Sequence, residues 1–149
     1  MRAVVQRVRS ARVTVEAEEA CCMAEGLLAL VGVGRDDTPG QAEELARRLV
    51  HLRVFGDENG RMNRSLLEVG GTLGVVSQFT LFGDARQGRR PSYARAAPAE
   101  QAEPLIDVLI EAARGLGVPV VTGRFRAMMD VELVNAGPVT ILLDTEKQF

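Results

Sequence analysis

Several residue types and motifs that carry common chemistries are scarce or missing in this sequence. It has no tryptophan, one histidine (His51) and one lysine (Lys147). It has no HExxH, no CxxC and no clustered His/Asp set, so we expect no bound metal. It has no GxxxxGK[ST] and no complete GxGxxG, and Gly32-Val33-Gly34 alone does not indicate a nucleotide site. The sequence therefore predicts neither a metal nor a cofactor.

Long apolar runs and a secretory signal are also missing. No apolar run reaches the roughly 18 residues that a membrane helix needs. The N-terminal stretch Met1–Arg7 becomes charged too early for a signal peptide. Cys21 and Cys22 are adjacent, and adjacent cysteines rarely bridge each other, so we expect two reduced thiols on or beside a strand. These features predict a cytoplasmic protein with no membrane partner.

The length and charge of the chain suit one small domain with one basic segment. A chain of 149 residues that is 46% hydrophobic can bury a core, and we expect a single domain over residues 1–149. The net charge of −2 gives no general affinity for nucleic acid. However, four arginines lie in one stretch whose only acid is Asp84: Arg86, Arg89, Arg90 and Arg95. This stretch is either a phosphate-binding loop or a solvated surface segment.

Hydrophobic patterning predicts more strand than helix. Ala3–Val8 and Arg12–Ala17 alternate as two strands, and Leu27–Val33 is a continuous apolar run that predicts a buried strand. Further short strands are predicted at Val54-Phe55, Leu73–Ser77, Val118–Val121, Val131–Leu133 and Val139–Leu143. Long loops are predicted at Gly56–Arg64 and Gly83–Ala97.

Two helices are predicted, and each begins beside a proline. One begins near Pro39 and the other at Pro98, and both carry apolar residues at helical spacing. Pro104 lies in the early turns of the second helix and predicts a kink or a later start. The links between strands are short, which favours antiparallel or mixed pairing. The predicted fold is therefore one compact α/β domain with a mostly antiparallel or mixed sheet and two main helices.

The end of the Leu73–Ser77 strand carries the first segment able to do chemistry. Ser77 or Thr80 could be a nucleophile or a polar contact, and the backbone N–H groups of Gln78 and Phe79 could bind an oxyanion. Alternatively, these polar side chains simply occupy an exposed strand face. His51 is far away in sequence on a helix, so a Ser-His-Asp or Cys-His site is not expected.

The second such segment is Asn135-Ala136-Gly137-Pro138-Val139-Thr140. Glycine before proline adopts unusual angles and leaves its backbone open, so this segment could present carbonyl groups to a ligand or partner. Taken alone, however, it predicts a hairpin turn between two strands.

Together the two segments resemble the signature motifs of the D-aminoacyl-tRNA deacylases, first described as D-tyrosyl-tRNA deacylases. The resemblance runs nearly end to end. Ala136 stands where an acid is common, Tyr93 stands where phenylalanine is usual, and Lys147-Gln148-Phe149 extends slightly past the usual end. Other stretches that match are Val5-Gln6-Arg7-Val8, Gly26-Leu27-Leu28, Arg61-Met62-Asn63, Gly88–Tyr93 and Thr122–Phe125 followed by Met129.

The resemblance implies a barrel-like domain that forms a tight homodimer, with the active site at the subunit interface. It implies that a cis Gly137-Pro138 bond reaches into the pocket of the other subunit and that Arg7 holds this loop in place. The pocket itself would be lined by Ser77, Gln78, Phe79 and Thr80 and supported by Phe125, Met129 and Asn135. The tRNA would contact Arg86, Arg89 and Arg90.

The implied activity is hydrolysis of the ester bond of D-aminoacyl-tRNA and glycyl-tRNA, with L-aminoacyl-tRNA rejected. The partner that the resemblance implies is tRNA, and we expect no DNA partner. We expect water to attack the carbonyl, assisted by the neighbouring ribose hydroxyl, and Thr80 as covalent nucleophile is the alternative. Two other functions stay open. A tRNA-binding module would usually show more than 4% aromatic residues, and another small-ester hydrolase would not explain the arginines.

Overall fold

The computed structural model describes residues 1–148. An α/β domain with a mixed sheet was predicted, and this fold is confirmed. The elements in chain order are β1 (Arg2–Val15), β2 (Glu18–Met23), β3 (Gly26–Gly32), α1 (Pro39–His51), β4 (Arg53–Gly56), β5 (Met62–Ser65), α2 (Leu66–Val69), β6 (Thr72–Ser77), a 3-10 turn (Phe79–Phe82), α3 (Ala99–Gly115), β7 (Val120–Thr122) and β8 (Asp130–Asp144).

The main sheet has six strands and is built around β1. Strands β2, β3 and β8 all pair antiparallel with β1, whereas β3–β6 and β6–β7 are parallel pairs. The order is β2-β1-β3-β6-β7, and β2 also lies close to β7, so the sheet curls nearly into a barrel. A separate two-stranded ribbon consists of β4 and β5.

The prediction of two strands at the N-terminus was wrong, because β1 is one continuous strand. Its pairing with β8 shifts register on both sides of Val8. A bulge turns the following side chains to the other face. Val5 therefore packs under the helices, whereas Val8 and Val13 point into the interior of the curled sheet. This change of face breaks the alternation of apolar and polar residues. The break made one strand look like two in the sequence.

The helices cover the outer face of the sheet and enclose the larger core. Helix α1 begins after Thr38, with Pro39 in its first turn as predicted, and buries Leu45 and Leu49. Helix α3 begins at Ala99 and runs through Pro104 to Gly115, so the late start considered for it was wrong. The one-turn helix α2 was not predicted. None of the helices within residues 1–148 is long and apolar enough to cross a membrane.

The predicted hairpin at Gly137-Pro138 was also wrong. The chain does not reverse there, because both halves of β8 pair antiparallel with β1. Thr140 lies opposite Gln6 and Asn135 lies opposite Val8, so residues 136–139 bulge out of the ladder opposite Arg7. The segment is thus a projection from the middle of a strand, which a local turn pattern in the sequence cannot distinguish from a hairpin.

Candidate active site

A cleft with a volume of about 750 Å³ opens at the carboxyl end of β6. All four residues Ser77–Thr80 line it, and Phe125 and Met129 line it as well. Val33, Ala97, Ala99 and Ala102 complete a mainly apolar interior. The structure therefore gathers six of the predicted site residues in one place, whereas their individual roles stay predictions.

The backbone N–H groups at the end of β6 differ in whether they are free to bind a ligand. The N–H of Gln78 donates to the carbonyl oxygen of Val31 at 2.7 Å, so it cannot also bind an oxyanion as we expected. Phe79 and Thr80 begin the 3-10 turn, and in residues 1–148 their N–H groups have no backbone partner. The first N–H groups of a helical turn lack intrahelical acceptors. We therefore expect Phe79 and Thr80, rather than Gln78, to supply any oxyanion donors.

Among the described residues that line this cleft, no evident general base lies beside the Thr80 hydroxyl. The side-chain amide of Gln78 donates a hydrogen bond to the Thr80 hydroxyl oxygen, and an amide cannot accept the hydroxyl proton as a base would. Among the residues that line the cleft, Arg126 alone is ionisable. His51 is exposed at the end of α1 and is not part of the lining. A covalent mechanism through Thr80 thus lacks its activating group.

The bulge of β8 presents the second predicted motif to solvent. Gly137 and Pro138 are exposed, and the peptide bond between them is cis, as the resemblance implied. Neither residue lines the cleft of its own chain. The side chain of Asn135 bonds to Val139 across the base of the bulge and likewise lies outside that cleft. A single chain therefore does not bring its two motifs into one pocket.

Arg7 holds the bulge from the β1 side. Its guanidinium donates from Nε to the carbonyl oxygen of Ala136 at 2.8 Å and from Nη1 to the carbonyl oxygen of Val54. Gly137 has a φ of 141°, a value that side chains rarely tolerate. A Cβ atom at Gly137 would lie 2.9 Å from Nη2 of Arg7, so the close approach of this arginine requires glycine.

The arginine-rich segment 83–95 is a surface loop closed by a backbone bridge between Asp84 and Ser92. Arg86 is neutralised within it, because Asp84 accepts hydrogen bonds from its Nε at 2.8 Å and its Nη2 at 2.5 Å. The same guanidinium holds the pKa of Asp84 well below its usual range. Arg89 and Arg90 are exposed and have no hydrogen-bond or ion-pair partner in residues 1–148. These two are the free cations of the loop.

The loop contacts the cleft through an aromatic pair that the sequence did not reveal. The rings of Phe79 and Tyr93 meet edge to face, with 5.1 Å between their centroids. The two side chains stay 56% and 39% exposed, so the pair forms an apolar rim at the cleft. The only hint in the sequence was the placement of the single tyrosine among the arginines.

The two cysteines are free thiols in β2, as predicted. Burial raises the pKa of Cys21, and a hydrogen bond with Glu19 raises the pKa of Cys22. A raised pKa disfavours the reactive thiolate at neutral pH. Within the described part of the chain, no group of His, Cys, Asp and Glu residues is arranged to hold a metal ion.

Proteins of known name are similar to this chain over nearly its whole length. A relative from Symbiobacterium thermophilum, named D-aminoacyl-tRNA deacylase, is 56% identical over 100% of this chain and 99% of its own. A relative of the same name from Roseiflexus sp. is 58% identical over 97% of this chain and 94% of its own. A solved structure described as c-Myc DNA Unwinding Element Binding Protein superposes with a TM-score of 0.92, at 38% identity over 97% of this chain and 98% of that one.

A second solved structure, described as a probable eukaryotic D-amino acid tRNA deacylase, has a TM-score of 0.83 at 15% identity, covering 95% of this chain and 97% of that one. At that identity the likeness shows the fold alone. The nearly closed sheet and the cleft at the end of β6, together with the relatives at 56% and 58% identity, define an α/β domain of the deacylase type. The model of the D-Tyr-tRNA(Tyr) deacylase family matches residues 4–144, and the chain belongs to that family. The resemblance read from the two motifs is confirmed.

Proposed function

We propose that the chain hydrolyses the ester bond between a D-amino acid and tRNA in the Ser77–Thr80 cleft. The observation that carries this proposal is the pair of N–H groups of Phe79 and Thr80, which have no backbone partner in residues 1–148, beside a cleft of about 750 Å³. Pockets of this size bind ligands as large as an aminoacylated nucleoside. Family membership supplies the reaction class.

The proposed mechanism uses water as the nucleophile. An aminoacyl ester is already activated, so stabilising the oxyanion supplies much of the acceleration that is needed. Phe79 and Thr80 would donate their N–H groups to the oxyanion. The ribose hydroxyl next to the ester would orient or activate the water, because the residues that line the cleft include no evident base. Hydrolysis of the ester then releases free tRNA and the D-amino acid from the cleft.

A homodimer would complete each site. We propose that Gly137 and Pro138 of one subunit enter the cleft of its partner, because the bulge is exposed, anchored and absent from the cleft of its own chain. A backbone segment with no flexible side chain can exclude the L arrangement around Cα without reading the substrate side chain. Glycine has no side chain to exclude, so glycyl-tRNA would be hydrolysed as well.

The partner would be cytoplasmic tRNA, held through its phosphates by the loop 83–95. Arg89 and Arg90 are exposed, and within residues 1–148 no acidic side chain pairs with their guanidinium groups. Their charges are therefore available to phosphate groups. The printed description of one structural relative concerns DNA. A duplex DNA competitor should therefore be included in binding assays, and we expect it not to displace tRNA at equal concentration.

One assay tests the function. The protein is incubated with D-tyrosyl-tRNA, L-tyrosyl-tRNA and glycyl-tRNA, and ester loss is followed against a blank without protein. We expect rapid loss of the D and glycyl esters and a blank rate for the L ester. Binding without ester loss would indicate an RNA-binding module. Equal loss of the D and L esters would indicate a hydrolase without chiral selection, and either result would overturn the proposal.

A further inference from the structure

The bulge of β8 interrupts the backbone hydrogen bonds of the sheet at the motif itself. Between the pairs Gln6–Thr140 and Val8–Asn135, β8 has four residues where β1 has only Arg7. Backbone N–H and C=O groups that leave a ladder need other partners to stay in one conformation. The orientation of Gly137 and Pro138 therefore depends on which side chains take the place of the missing strand partner.

The side-chain amide of Asn135 takes that place. Its Oδ1 accepts a hydrogen bond from the backbone N–H of Val139 at 2.7 Å. Its Nδ2 donates to the carbonyl oxygen of Val139 at 3.3 Å and to the hydroxyl of Thr140 at 3.2 Å. The amide thus satisfies both backbone groups of Val139, as a neighbouring strand would. It joins the two ends of the bulge at its base.

Asn135 and Arg7 hold opposite ends of the projection. Arg7 bonds to Ala136 before the Gly-Pro pair, and Asn135 bonds to Val139 after it. Gly137 and Pro138 project between these two anchors. An anchor on only one side would leave the loop able to pivot about the other. A displacement of about 1 Å at a reacting centre is enough to reduce catalysis greatly.

We infer that Asn135 is a positioning residue that sets chiral selectivity by clamping the Gly137–Pro138 bulge. The inference rests on the proposed function, in which this bulge enters the partner's cleft. The clamp requires one acceptor and one donor on the same planar group. Aspartate keeps the acceptor and has the same shape, but its second oxygen would face the carbonyl oxygen of Val139 and repel it.

The experiment compares wild type with Asn135→Asp and Asn135→Ala, and uses Asn59→Asp as a matched control. Asn59 is an exposed residue of the β4–β5 turn, outside the cleft and the bulge. For Asn135→Asp at neutral pH we expect kcat on D-tyrosyl-tRNA to fall about tenfold or more, with a similar loss in the D-to-L rate ratio. KM should change less than about twofold, because the loop 83–95 holds the tRNA.

A pH series separates positioning from general damage. A protonated carboxyl group again has an O–H donor, so the Asn135→Asp variant has the donor below the pKa of its new carboxyl group and loses it above that pKa. The D-to-L ratio of Asn135→Asp should therefore recover as the pH falls from neutral toward about 4. Asn135→Ala has no donor at any pH and should not recover. Wild type and Asn59→Asp should keep their ratios throughout.

The outcomes distinguish this inference from the proposed function. A wild type that does not hydrolyse D-tyrosyl-tRNA would overturn both. A selective wild type beside an Asn135→Asp variant with unchanged kcat and D-to-L ratio would overturn the inference alone. Thermal unfolding is measured for each variant. If Asn135→Ala does not fold, the isosteric Asn135→Asp variant and its pH series still test whether Asn135 positions the bulge.

Discussion

At the scale of single residues, polar side chains at the cleft and the bulge act through their hydrogen bonds. Gln78 shows this most clearly. Its backbone N–H is used by the sheet, and its side chain is used by Thr80. We therefore expect the oxyanion donors at Phe79 and Thr80 rather than at Gln78 and Phe79. The Thr80 hydroxyl accepts from an amide and contacts no evident base in residues 1–148, which favours water as the nucleophile.

Replacing Thr80 distinguishes the two mechanisms. Thr80→Ala keeps the backbone N–H and removes only the hydroxyl, so we expect kcat on D-tyrosyl-tRNA to fall less than about tenfold. A covalent nucleophile would cost about 10³-fold or more. Thr80→Ser, which keeps the hydroxyl, is the control. Near-complete loss in the alanine variant alone, with tRNA still bound, would establish Thr80 as the nucleophile and contradict our mechanism.

Gly137 tolerates no side chain for a reason that is visible in its surroundings. In Gly137→Ala the new Cβ would lie 2.9 Å from both Arg7 Nη2 and Val139 Cγ2. We expect at least about tenfold lower kcat/KM on D-tyrosyl-tRNA, because relieving the clash displaces either the Arg7 guanidinium that anchors the bulge or the bulge itself.

Gly60→Ala is the matched control for the Gly137 variant. Gly60 also has a positive φ, 74°, but a Cβ there meets nothing within 4 Å. Both variants should lose stability through backbone strain of about 1–2 kcal/mol, measured by urea unfolding. Only Gly137→Ala should lose activity. Equal activity of the two variants would show that the position of the bulge does not matter.

At the scale of elements, the loop 83–95 separates its arginines into paired and free groups. Arg86 is bound to Asp84, whereas Arg89 and Arg90 project into solvent without a partner in residues 1–148. The prediction from sequence treated all three alike, although Asp84 lies only two residues before Arg86. We therefore expect Arg89 and Arg90 to contribute more to tRNA binding than Arg86.

The double variant Arg89→Ala/Arg90→Ala should weaken binding of every aminoacyl-tRNA alike. The slope of log K against log salt should decrease by about 2, because each lost phosphate contact removes about 1. The charge-matched control is Arg47→Ala/Arg114→Ala, which removes two arginines already paired with Glu44 and Glu111 on the helices. A changed D-to-L ratio with unchanged tRNA affinity would disprove the assignment of the loop.

At the scale of the whole molecule, the central question is whether cleft and bulge act across two subunits. Each chain carries an intact cleft and an intact bulge, but its bulge does not line its own cleft. Activity should therefore require the dimer. A fully active monomer, seen by ultracentrifugation at the assay concentration, would contradict this arrangement.

Mixing two impaired variants tests the exchange directly. Gly137→Ala damages the bulge, and Ala99→Trp fills the cleft with a large ring. After unfolding and joint refolding, mixed dimers contain one intact cleft that faces one intact bulge. Recovery of about a quarter of wild-type activity is expected, because about half of the dimers are mixed and each has one working site. If bulge and cleft act within one chain, the mixture stays inactive.

The sequence by itself determined the class of fold, the family and the two motifs. The helical spacing of apolar residues after Pro39 located α1, and apolar runs of strand length that follow glycine located β3 and β6. The shape of the Gly137–Pro138 segment was decided only by the tertiary structure. A local Gly-Pro pattern permits a hairpin, but continued pairing with β1 on both sides turns it into a bulge. The Val31 acceptor of the Gln78 N–H and the Arg7 anchor of Ala136 likewise depend on neighbours that only folding brings into contact.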